Sequence, residues 1–143
     1  MFTEILVPTD GSDASLAAVD QGVAVARRFE ATVHFLHVVD VGAEMSASAV
    51  GDIADDLTTT LEDVAADALD TAESRAEDAG VPCERTVLEG IPHEAIVEYS
   101  TDRDVDLVVL GESGRSGLKE HLLGSTTDRV ARSADTSVLI ARS

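Results

Sequence analysis

Tryptophan is missing from this 143-residue chain, tyrosine occurs once and phenylalanine three times, so aromatic residues make up only 3% of it. Few aromatics with a high net charge is also the composition of unstructured chains. Here 44% of residues are hydrophobic and the mean hydropathy is +0.08, which leaves enough Val, Ile, Leu and Ala to bury. The length suits one domain, expected to span residues 1–143. Cys83 is the single cysteine, so no intramolecular disulfide can form. With Arg85 as its one basic neighbour, Cys83 reads as a small strand residue rather than a nucleophile. No apolar run approaches the roughly 20 residues a membrane-spanning helix needs, and no basic stretch followed by an apolar one opens the chain. The expected location is therefore cytoplasmic.

Positive charge is equally scarce. Ten Lys and Arg face 28 Asp and Glu, a formal net charge of −18, and the pI is near 4.2. A surface of that sign repels nucleic acid and anionic membranes alike. Lys119 is the sole lysine, and the acidic excess is mostly Asp. Self-repulsion on this scale weakens a compact state unless salt screens it, so the composition predicts a halophilic protein suited to a salt-rich cytoplasm.

What the chain does have is alternation. Glu4 to Pro8 is a short apolar run that fits a buried strand, followed by a turn cluster, TDGSDAS, in which Ser12 or Asp13 can cap the next element. Leu16, Val19, Val23 and Ala26 recur at helical spacing over residues 13–28. Thr32 to Val39 is almost continuously apolar, as a strand covered on both faces requires. Residues 40–53 have no clear period, and a loop of that length is usually functional or mobile. Asp55 to Ala79 reads as the longest helix, stopped by Gly80-Val81-Pro82. Cys83 to Leu88 is a weaker, alternating strand suited to an edge. Pro92 opens another helix, Asp106 to Leu110 is a fourth strand, Ser125 to Ser133 a last helix and Thr136 to Ala141 a last strand. Strands alternating with helices imply an α/β fold with a parallel sheet.

An open sheet of this kind binds ligands beyond the carboxyl ends of its strands, where the strand order reverses. Two loops carry suitable chemistry: Pro8-Thr9-Asp10-Gly11-Ser12, and the stretch from Gly111 to Ser125. In the second, Gly111, Gly114 and Gly117 allow close backbone approach, and Gly124 leads into Ser125 and Thr126 at a helix start, where free amides and the helix dipole favour an anion. From Gly111 to Arg132 the cations Arg115, Lys119, Arg129 and Arg132 outnumber the anions Glu112, Glu120 and Asp128, so this segment is net positive in an acidic chain. A Walker-type phosphate loop is absent, as is a dinucleotide G-x-G-x-x-G after the first strand. Asp10 alone reads as a turn former or helix cap; its place opposite the glycine loop favours a ligand role. His34, His37, His93 and His121 show no metal-ligand spacing, so core or surface positions are expected for each.

The spacing Gly111-x2-Gly114-x9-Gly124-Ser125, together with ILVPTDGS at the N-terminus, LHVVD at residues 36–40 and GIPHEAIV at residues 90–97, resembles the universal stress protein family over essentially the whole chain. The resemblance implies a three-layer, five-stranded parallel sheet of order 3-2-1-4-5, a Rossmann-like adenine-nucleotide fold, a homodimer and bound ATP, with Mg²⁺ as a possible companion. It implies that Asp10 binds the ribose or adenine end with Pro8 and Thr9 beside it, and that the backbone of Val38 meets adenine. Gly111, Gly114, Gly124, Ser125 and Thr126 are then expected around ribose and phosphates. Glu112 and Ser113 depart from the family pattern; Glu112 is unfavourable beside a phosphate unless it faces solvent or a metal ion, and Arg115 is expected to compensate.

The last strand, as a long hydrophobic edge, is an aggregation hazard that pairing with its own copy around a two-fold axis removes. The leading expectation is an ATP-dependent stress-response switch acting as a dimer toward protein partners. Slow Mg²⁺-dependent ATP hydrolysis is a second reading, although no base or water-positioning residue stands out. A member acting only through protein contacts is a third, and the intact glycine spacing argues against it. A response-regulator receiver is disfavoured because it needs a carboxylate after the third strand and a lysine near the last, and Lys119 is the sole lysine.

Overall fold

The computed structural model describes residues 2–40, 53–112 and 124–142, with the backbone alone for 53–60. The elements run β1 (Glu4–Pro8), α1 (Asp13–Phe29), β2 (Thr32–Val39), α2 (Ile53–Asp78), β3 (Cys83–Glu89), α3 (Pro92–Asp102), β4 (Leu107–Gly111), α4 (Ser125–Ser133) and β5 (Ser137–Ala141). The expected sequence of strands and helices holds throughout, with ends displaced by one or two residues. The segment expected as a long loop after Asp40 falls outside the described residues up to 52.

The five strands are all parallel and ordered β3-β2-β1-β4-β5, as the resemblance implied. Pleating sends alternate side chains to opposite faces, and the apolar runs use both. Ile5, Val7, Val33 and Phe35 pack with Val19 and Val23 of α1 and Leu69 and Ala72 of α2 on one face. Leu6, Leu36 and Val108 pack with Ile96 and Tyr99 of α3 and Val130 of α4 on the other. That is the reason the central strands show no alternation in sequence: both faces are interior. Each fully buried Ile, Leu, Val or Phe contributes about 1.5–3 kcal/mol. β3, at the edge, alternates from Arg85 onward, with Arg85, Val87 and Glu89 exposed and Thr86 and Leu88 half-buried between them, while Glu84 before them is exposed as well.

Helix ends follow from local chemistry. Ser12 is the N-cap of α1, its hydroxyl accepting from the Ser15 amide at 3.2 Å. α2 ends where Gly80 turns left-handed (φ 71°), and the Val81 amide returns to the Ala76 carbonyl at 2.9 Å, satisfying a carbonyl left free by the end of the helix. His34 takes the core position expected of it, buried with Nδ1 2.9 Å from the Tyr99 hydroxyl and Nε2 3.4 Å from Glu4. Among the described residues no helix is long and apolar enough to cross a membrane.

Candidate functional site

β1 lies between β2 and β4, so the chain leaves β1 toward one side and returns to the other only after two strands. This is the topological switch point, and the loops after β1 and β4 start side by side there. A cavity of about 520 Å³ opens at this end of the sheet, a size typical of small-molecule sites. Pro8, Thr9, Asp10, Val38, Gly111, Gly124, Ser125 and Thr126 all line it. Eight of the ten residues expected at the site are thus brought to one cavity. The other two, Gly114 and Arg115, lie outside the described residues.

The first loop is rigidly set. The buried Thr9 donates its amide to the Leu36 carbonyl at 2.9 Å, its hydroxyl to Ser15 Oγ at 3.2 Å, and its carbonyl accepts from His37 Nδ1 at 2.9 Å. Its side chain is therefore committed to holding the loop. Asp10 Oδ1 accepts from the Ser12 amide at 2.9 Å, so it does shape the turn, helped by Gly11 at φ 82°, while its side of the loop still borders the cavity.

The second loop is pinned at its base. The Gly124 amide donates to the Glu112 carbonyl at 2.7 Å, and the Thr127 hydroxyl to the Gly111 carbonyl at 2.7 Å. Gly124 is the N-cap of α4 and, as a glycine, has no side chain with which to close the helix start. Ser125 and Thr126, which follow it, border the cavity, and the start of a helix favours a negative charge. Glu112 is answered by Arg142, whose Nη1 lies 3.5 Å from Glu112 Oε2, so its charge has a partner other than a metal ion. Gly111 has a role the sequence did not disclose: a Cβ there would stand 2.4 Å from the Ala14 carbonyl oxygen and 2.6 Å from its carbon. The glycine lets the first turn of α1 lie directly on β4.

Sequence reasoning missed the apolar wall, which comes from Leu61 and Val64 of α2 and Pro92 and Ile96 of α3, and it missed His37, buried and at the cavity's edge. A polar residue one position before Val38, in an apolar strand ending at a switch point, was the available signal.

A model of the universal stress protein family matches residues 1–142. The chain belongs to the universal stress protein family. This universal stress protein is 35% identical over 142 residues to a universal stress protein of Methanocaldococcus jannaschii, covering 99% of this chain and 83% of the relative. Its fold is similar to universal stress protein UspA from Lactobacillus plantarum, with a TM-score of 0.84 and 32% identity over 99% of this chain and 98% of that one. It is also similar, at a TM-score of 0.72 and 30% identity, to a universal stress protein solved in complex with cAMP, over 99% of this chain and 97% of that one.

Proposed function

We infer that this universal stress protein binds an adenine nucleotide, ATP in the first place and with or without Mg²⁺, in the cavity at the switch point. One observation carries the reading: a cavity of about 520 Å³ with apolar walls opens directly onto the start of α4, whose N-cap is Gly124, a residue with no side chain to bond the helix start. An apolar slot beside an anion-favouring helix start is complementary to a base joined to phosphates. The relative solved with cAMP, itself an adenine nucleotide, supports the same reading.

In this reading adenine lies against the backbone of Val38, and Pro8, Thr9 and Asp10 border the nucleoside. Thr9 contributes through its fixed backbone, since its hydroxyl is already bonded to Ser15. Gly124, Ser125 and Thr126 face the phosphates, with Gly111 at the root of that loop and Gly114 and Arg115 completing it. The protein acts in the cytoplasm as one domain. It is a homodimer paired along β5, whose position at the sheet edge and half-buried Val138, Leu139 and Ile140 suit pairing with a second copy. Nucleotide occupancy then changes what the dimer presents to protein partners. Binding rather than turnover is the activity.

The test is to denature freshly purified protein, identify any released nucleotide, and titrate the nucleotide-free protein with ATP, ADP, AMP and cAMP, each with and without Mg²⁺. Binding by at least one of them, lost on Gly124→Val with the fold intact, is expected. Absence of binding in every case overturns the reading. Light scattering on the same sample checks the dimer, and a species of 15.0 kDa counts against it.

A further inference from the structure

His37 sits near the end of β2, buried, beside the cavity, and is the one histidine among the described residues that borders it. Its Nδ1 lies 2.9 Å from the Thr9 carbonyl oxygen. A carbonyl can only accept, so Nδ1 must carry the hydrogen. In the neutral ring the other nitrogen, Nε2, is then a bare acceptor. Among the described residues Nε2 has no hydrogen-bond partner, yet none of the buried side-chain nitrogens and oxygens there is left unsatisfied. Nε2 therefore keeps accessible surface, and the surface next to His37 is the cavity.

We propose that His37 is a nucleoside-recognition residue, its Nε2 accepting a hydrogen bond from a donor on the bound nucleoside. This rests on the nucleotide reading above. The tautomer is imposed by the Thr9 carbonyl, so the site offers an acceptor at a fixed point without spending energy to orient it. The donors on the nucleoside half of ATP are the exocyclic 6-amino group and the ribose hydroxyls. A 6-oxo base offers no donor at the exocyclic position, and a deoxyribose lacks one hydroxyl, so the ligand itself distinguishes these sources. A buried acceptor facing a group that cannot donate pays its desolvation without return, which makes Nε2 a means of discrimination as well as affinity.

The experiment measures the affinity of ATP, ITP, 2′-deoxyATP and 3′-deoxyATP for the wild type and for His37→Asn. The asparagine amide can keep the bond to the Thr9 carbonyl but does not reach the Nε2 position. ATP binding is expected to weaken about five- to tenfold in H37N, while the analogue lacking the relevant donor binds both proteins alike. If H37N does not fold, nitrogen-15 NMR of the wild type decides: the unprotonated ring nitrogen must be Nε2, and its resonance must move upfield on adding ATP. A wild type that binds ATP while H37N discriminates among the four ligands as the wild type does, or whose Nε2 resonance stays in place, overturns the proposal and leaves the nucleotide reading standing. A wild type that binds none of the four overturns both.

Discussion

Replacing Gly111 by alanine probes whether this position belongs to helix packing. Gly111 is in a strand with ordinary backbone angles, so alanine meets no conformational penalty there; restricting the unfolded chain even favours it by about 0.4–1 kcal/mol. Against that stands the new methyl group, 2.4 Å from the oxygen and 2.6 Å from the carbon of the Ala14 carbonyl and 3.1 Å from the Ala14 side chain. Two of those three atoms are backbone, in the first turn of α1, which Ser12 caps and which packs on β1 and β4. Relief requires the helix start to shift, and overpacking of this kind costs about 1–3 kcal/mol. The net expectation for G111A is a loss of about 1.3 kcal/mol, or roughly 4–5 °C in Tm for a chain of this length. Gly22→Ala is the companion variant in the middle of α1. Its Cβ would stand 2.6 Å from Cγ2 of Val7, a fully buried and β-branched core side chain with little room to turn away, so about 1 kcal/mol of gained helix propensity offsets only part of an overpacking cost of about 1–3 kcal/mol. G22A should therefore lose about 1 kcal/mol. Urea unfolding of both variants, followed by circular dichroism, decides the matter. A G111A protein as stable as the wild type would refute the packing argument.

Thermal unfolding in molar KCl should exceed that in dilute buffer, because screening relieves the repulsion in a chain of net charge −18; equal midpoints contradict this. Ser12→Ala removes the acceptor for the Ser15 amide and should cost about 1 kcal/mol, with Ser12→Asp retaining most of the stability in the same denaturant series. Burial, then Glu73 and Glu77, push the Cys83 thiol above the usual thiol range against a weaker opposing effect of Arg85. Its contribution to stability is thus present below the ordinary thiol pKa and lost as pH rises through the raised one. Alkylation of native protein by iodoacetamide should lag behind that of a small-molecule thiol and catch up only in more alkaline buffer, and equal rates at neutral pH contradict the shift.

Much of the fold was legible because its causes are local. The runs ILV in β1 and VHFLHVV in β2 are apolar without alternation, and only strands covered on both faces bury such runs whole. β3 alternates because its edge position leaves Arg85 and Val87 outside. The candidate cavity was legible as far as it is lined by chain turns: Asp10, Gly124, Ser125 and Thr126 sit at strand and helix ends that the pattern marks. What stayed hidden depends on separation along the chain. The Glu112–Arg142 pair joins residues 30 apart, the wall of Leu61 and Ile96 comes from two helices on opposite faces of the sheet, and the contact between Gly111 and Ala14 exists only once β1 and β4 are neighbours. None of these leaves a period or a motif. His37 is intermediate: its strand was plain, but its bond to the Thr9 carbonyl depends on how β1 and β2 align.

The two hydrogen bonds that close the neck of the second loop, from the Gly124 amide to the Glu112 carbonyl and from the Thr127 hydroxyl to the Gly111 carbonyl, fix the start of α4 against the end of β4. Strand end and helix start are therefore one assembled piece before any ligand arrives, and a ligand that touches both loses no affinity in bringing them together.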